Sequence, residues 1–96
     1  MVKTVRQQIM EMLRGREMSA QDLSQAIGVK EREVEQHLPH VAASLTGRGE
    51  RLVISPSRCL DCGYVFRERR RVTRPSRCPV CHGRRLDRPA FEIQGG

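Results

Sequence analysis

Ninety-six residues allow one domain, or one domain with a small appendage, and three aromatics without a Trp leave little material for a large core. Uninterrupted aliphatic runs stay as short as "LVI" at 52–54, which excludes a membrane-spanning helix, and the polar opening "MVKTVRQQ" does not read as a secretory signal. The formal net charge of +7 favours a polyanion as partner.

That charge is unevenly divided. Residues 1–47 carry six Lys or Arg against six Asp or Glu, residues 48–88 carry twelve Arg against four acids, and Glu92 brings the sum to +7. Sixteen of the eighteen basic side chains are Arg, whose planar fork suits phosphate. The bland alternative is an arginine-rich surface that is merely solvated.

In "KTVRQQIMEMLRG", Val5, Ile9, Met12 and Leu13 recur at helical spacing and Gly15 ends the run, which predicts an amphipathic helix with one buried stripe. "REMSAQDLSQAIG" predicts a second helix. Ser19 with Asp22 three residues on forms a capping box, Leu23 and Ile27 point inward, and Gly28 is the stop. In "VKEREVEQHLPHVAASLTGRG", Val34, Leu38, Val41 and Leu45 repeat at four, three and four residues, a third helix ending near Gly47. Pro39 removes one donor and crowds the Glu35 carbonyl, so a kink or a restart is expected there. Two helices across the short turn "GVK", with a stabilising helix before them, make a helix-turn-helix, although three-helix packing also occurs without DNA. "ERLVIS" is short and β-branched between turn residues and predicts a strand; "AFEI" at 90–93 predicts another.

Between those strands lie all four cysteines. Cys59 and Cys62 form one Cys-x-x-Cys, Cys78 and Cys81 another, with fifteen residues between the pairs, the spacing of a zinc ribbon. Each two-residue gap brings two sulfurs within chelating distance, Gly63 and Gly83 permit the close backbone approach that follows, and two facing knuckles complete a sulfur tetrahedron. The expected cofactor is one structural zinc ion, in a reducing cytoplasm where thiols do not form structural disulfides. A divalent ion on four thiolates contributes −2, which would lower the working charge to nearer +5. Iron suits the same tetrahedron, but a basic chain with a helix-turn-helix is a poor electron carrier. A thioredoxin-like redox pair lacks its βαβ surroundings, and the haem pattern "CPVCH" would leave the first pair idle. His37 and His40, three apart on the third helix, read as ordinary polar residues without a ligand partner nearby.

The order of a helix, "MSAQDLSQAIGVKEREVEQHL" and "RLVIS" resembles the winged helix-turn-helix of ArsR-like prokaryotic transcription regulators. "RCLDCGYVF" followed by "RCPVCHG" resembles a smaller group of such proteins, in which a zinc ribbon with rubredoxin-like knuckles accompanies the wing. The resemblance implies an α+β fold of three helices and a small antiparallel wing. "LVIS" and "AFEI" are then the wing strands, with the ribbon inserted in the wing or extending it. The expected organisation is a winged helix-turn-helix over 1–56, a zinc ribbon over 57–88, and a return strand with tail over 89–96. Lys30 departs from the pattern, since Ser, Thr or Asp usually caps a recognition helix.

With its apolar stripe inward, the third helix presents Arg32 and Gln36, flanked by Lys30, Glu33 and His40. Arg reads guanine and Gln reads adenine in the major groove. Glu31, Glu33 and Glu35 leave residues 30–36 at net charge −1, so this helix alone holds a phosphate backbone poorly. The segment "RERRRVTRPSR" supplies Arg67, Arg69, Arg70, Arg71, Arg74 and Arg77, expected as a hairpin loop displayed by the metal toward phosphate or a narrow minor groove. The expected function is sequence-specific binding of double-stranded DNA by a transcriptional regulator, as a twofold dimer. The alternative is a zinc-ribbon adaptor that binds RNA, a polymerase or a ribosomal protein. An enzyme is not expected, because no paired carboxylates, catalytic triad order or Gly-rich phosphate loop occurs and a four-sulfur metal has no open position.

Overall fold

The computed structural model describes residues 2–67 and 72–95. Three helices, α1 (Val5–Leu13), α2 (Ala20–Ile27) and α3 (Glu31–Thr46), form the N-terminal half. A two-residue strand, β1 (Met18–Ser19), precedes α2, and β2 (Glu50–Ser55) and β3 (Ala90–Gly95) follow α3. The strands pair antiparallel in the order β1-β3-β2, with Ser55 opposite Ala90 at the end where the cysteine-bearing segment leaves the sheet. The fold is thus α+β, three helices on a small sheet with a ribbon between its last two strands.

Local chemistry accounts for the helix ends. Thr4 and Gln7 form a capping box at α1 through bonds of 3.0 and 3.1 Å, a signal passed over in the sequence. Ser19 and Asp22 form the expected one at α2, so Ser19 both ends β1 and caps α2. Gly28 closes α2 in the left-handed region at φ 88°, where a Cβ is strained, and donates its N–H to the Ser24 carbonyl. Lys30 makes no side-chain cap bond; Glu31 and Glu33 in the first turn of α3 complement the dipole instead.

Two expectations need correction. Of the kink or restart expected at Pro39, the restart does not occur: helix α3 is continuous through it. Pro39 lies on the exposed face, while Val34, Leu38, Val41 and Leu45 on the opposite face are all fully buried and hold both halves to one core. The cost is one missing backbone bond within a helix that packing stabilises. In α1 the buried stripe is Ile9, Met10 and Leu13, with Val5 and Met12 at its half-buried edges. Met10 was not anticipated.

β3 is the central strand and closes the core. Phe91 and Ile93 are buried on one face, opposite Ile54 and Leu52 of β2, and Phe91 also faces Met18 of β1. Polar clasps tie the sheet to the helices. Arg14 donates from Nε and Nη2 to the two Glu50 carboxylate oxygens at 3.1 and 3.0 Å, and Ser55 Oγ donates to Glu17 at 2.5 Å. The Arg14 hydrogen bond holds the Glu50 carboxyl below its usual range. That contribution is therefore complete above the ordinary glutamate range and is lost as pH falls through the depressed value. No helix among the described residues is long and apolar enough to cross a membrane.

Removing the Phe91 ring opens a cavity at the junction of all three strands, so Phe91→Ala should destabilise the metal-loaded protein by about 3–5 kcal/mol. Loss of the cap in Ser19→Ala should cost about 1 kcal/mol. Denaturant unfolding at fixed free zinc measures both; equal effects would contradict this placement of the core.

Candidate metal centre

The two Cys-x-x-Cys turns are built alike. In the first, Gly63 N donates to the Cys59 carbonyl at 3.0 Å and Cys59 N to the Tyr64 carbonyl at 2.8 Å. In the second, His82 N donates to the Cys78 carbonyl at 3.0 Å and Cys78 N to the Gly83 carbonyl at 3.0 Å. The residue after each second cysteine takes the left-handed conformation: Gly63 at φ 80° and His82 at φ 60°. The left-handed residue of the second knuckle is thus His82, while the close approach expected at Gly83 is present. Gly83 is needed for proximity: a Cβ there would meet an Asp61 carboxylate oxygen at 2.9 Å and Cys81 Sγ at 3.2 Å.

The knuckles bring all four sulfurs within 4.8 Å of one another. Cys59 and Cys81 Sγ are 3.6 Å apart, as are Cys62 and Cys78 Sγ. A regular tetrahedron with Zn–S bonds of about 2.3 Å has edges of about 3.8 Å, so this arrangement fits one ion. It does not fit disulfides, and all four thiols are unbonded. Cys59 and Cys78 are buried, whereas Cys62 and Cys81 face solvent. Val80 N and Gly83 N approach Cys78 and Cys81 Sγ, each at 3.4 Å, and would favour thiolates.

Without an ion the four thiols compete for protons. Burial opposes ionisation of Cys78, but the backbone N–H groups of Cys81 and Val80 outweigh it and bring its thiol down to about 7. The Tyr64 N–H favours a Cys62 thiolate, yet burial and the hydrogen bonds shared with Cys78, Cys59 and Cys81 push that thiol up to about 12. A divalent metal replaces those protons. The four-cysteine cluster is the site of one structural zinc, whose role is to join two turns that have little else to hold them. Among the described residues, the ribbon's own buried hydrophobic cluster holds Phe66 and Leu86 beside Cys59 and Cys78.

The other predicted residues fall in three groups. Lys30, Arg32, Glu33, Gln36 and His40 are all exposed along α3. Arg67, Arg74 and Arg77 are exposed around the ribbon, and Arg69, Arg70 and Arg71 lie outside the described residues. Val72 corrects the picture of a free-standing loop, because it packs against the helical core. Sequence reasoning also passed over Arg88, whose Nε donates to Glu31 on the first turn of α3 at 2.9 Å. Burial and the neighbouring Glu31 push the Glu35 carboxyl up, and Arg88 and Arg32 pull against them. Exposed Arg58 and Arg84 flank the knuckles; their adjacency to the cysteine turns was a legible signal.

Chelation of the zinc should unfold the ribbon and leave α1–α3 and their core in place. Amide spectra would show ribbon resonances collapsing while those of Leu23, Leu38 and Val41 keep their dispersion. Since binding displaces thiol protons, zinc affinity should fall by at least about tenfold between pH 8 and pH 6, with proton release on binding. A pH-independent affinity would contradict a thiolate site.

Residues 4–53 match the family described as PF0610-like, N-terminal, and residues 56–95 match the PF0610 rubredoxin-like zinc beta-ribbon domain. The fold is similar to the solution NMR structure of protein PF0610 from Pyrococcus furiosus, with a TM-score of 0.80 at 26% sequence identity, over 96% of this chain and 90% of that one. No curated protein matches. The two matches leave few residues outside them, and the chain belongs to the PF0610-like family, its second half being that family's rubredoxin-like zinc ribbon.

Proposed function

We propose that the chain is a sequence-specific DNA-binding transcriptional regulator of the winged helix-turn-helix kind, acting in a reducing cytoplasm and without catalytic activity. The observation that carries this reading is the path of the chain. α2 and α3 are joined by a tight turn, and the ribbon lies between the paired strands β2 and β3, which this reading takes as the wing. In this reading α3 lies in the major groove, with Arg32 and Gln36 reading base edges and Lys30, Glu33 and His40 at the margins. The ribbon is an enlarged, metal-stiffened wing whose arginines hold phosphate. A closed four-sulfur site leaves no position for a substrate, which fits a structural metal.

The acidic residues of α3 are the main objection. Arg88 meets it in part, because it pairs with Glu31 and brings the local sum for residues 30–36 and 88 to zero. The remaining Glu33 and Glu35 favour the second reading, an adaptor that docks on RNA or a protein of the transcription or translation machinery. Twofold dimers on half-sites about one DNA turn apart are the expected assembly.

Selection from a random duplex pool followed by salt titration tests the reading. Arg32→Ala with Gln36→Ala should abolish sequence preference while retaining non-specific binding. Six neutralised phosphates correspond to a log–log salt slope of about −5, and Arg69→Ala, Arg70→Ala, Arg71→Ala should make it shallower by about 3. An intact preference in the first variant, or an intact slope in the second, contradicts the respective role.

A further inference from the structure

The ribbon exposes apolar side chains at the end where one would expect polar ones. Among the described residues the large apolar side chains left in solvent are Val2, Leu60, Tyr64 and Val80; Leu60 is 54% and Val80 61% exposed. Leu60 lies inside the first Cys-x-x-Cys turn and Val80 inside the second. Because the four sulfurs converge within 4.8 Å, these two turns form one tip. A chain with so few large apolar residues gains nothing for its own stability by leaving two of them in solvent beside the metal site.

The chain next to both turns is cationic: Arg58 precedes Cys59, Arg77 precedes Cys78, and Arg84 and Arg85 follow Gly83. Asp61 is held by Arg85 at 3.1 Å, whereas Arg58, Arg77 and Arg84 make no ion pair among the described residues. Charge complementarity therefore favours a polyanion over an apolar protein surface. The tip is also rigid: each turn is closed by its own backbone bonds, and the metal joins the two.

We propose that this tip is a minor-groove wedge. Leu60 and Val80 insert at a deformable base step and bend duplex DNA, while the neighbouring arginines hold the flanking phosphates. The inference rests on the DNA-binding reading and adds to it a preferred substrate, duplexes with a flexible pyrimidine–purine step within reach of the α3 site. Apolar wedges flanked by Arg or Lys unstack such steps and kink the duplex, and the cost is lowest where stacking is weakest. The Arg88–Glu31 contact puts the base of the ribbon at the N-terminal turn of α3, the end of a recognition helix that approaches the bases.

The test uses the zinc-loaded full chain and duplexes labelled at both ends, with a central TA step or an A-tract beside the selected site. Anisotropy reports binding, end-to-end energy transfer reports bending, and 2-aminopurine at the step reports unstacking. The wild type should bend the TA duplex, brighten the 2-aminopurine and bind the A-tract duplex several-fold more weakly. Leu60→Ser with Val80→Ser, checked for full zinc content, should keep the salt slope but lose the bend and the step preference. The near-isosteric Val80→Thr alone should lose part of both. Wild-type binding to a straight duplex, or unchanged bending by the double variant, overturns the wedge and leaves a protein-docking patch as the use of the tip. No binding to any duplex overturns the DNA reading as well.

Discussion

Four thiolates drawn to one ion are the constraint on which the second half of the chain depends. Among the described residues, the ribbon's own hydrophobic cluster adds Phe66 and Leu86 to Cys59 and Cys78. Full burial of such a side chain contributes about 1.5–3 kcal/mol, whereas a structural zinc contributes about 10–16 kcal/mol in small peptides. The metal term therefore decides whether the ribbon is folded, and packing only trims its shape. The helical half is held differently, by one core of Ile9, Leu13, Leu23, Val34, Leu38 and Phe91 that needs no ion. Two stabilising mechanisms share one sheet, because β3 carries the return from the ribbon straight into that core.

The junction between the halves gives the charge pattern its meaning. The first half is neutral and the second strongly basic, yet the cationic excess is not all directed to solvent. Arg14 is committed to Glu50, Arg85 to Asp61 and Arg88 to Glu31. Ion pairs within reach of solvent contribute little to stability, so these fix orientation more than they hold the fold. Arg88 matters through its place. It links the base of the ribbon to the first turn of α3, so a helix with three acidic residues near its start is not left with all of their charge. Val72 adds an apolar contact between the inter-knuckle segment and the helical core. Ribbon and helix thus meet as parts of one surface.

Features with a local cause were legible in the sequence. The Ser19–Asp22 capping box, the stop at Gly28, the four-three-four repeat of α3 and the spacing of the cysteines each depend on residues a few positions apart. β1 was missed because two residues have no periodicity; Met18 becomes a strand only by lying against Phe91, seventy-three positions on. The same distance problem hid Arg88 and Glu31. Pro39 misled because its local cost is real but is outweighed by the buried stripe on the far side of the helix. His82 carried no signal for its role: glycine is the habitual residue at a left-handed position, and a histidine occupies it here at φ 60°. The cysteine set of the candidate site was therefore readable in full, and the apolar tip that surrounds it was not, because exposure is a property of the folded knuckles.

The central claim is a single ion in an all-sulfur shell, and X-ray absorption at the zinc edge on protein purified without added metal tests it most directly. One zinc per chain with four sulfur scatterers at about 2.3 Å and no lighter neighbour is expected. A nitrogen or oxygen scatterer in the shell, or a chain free of metal with its cysteines joined in two disulfides, would contradict it.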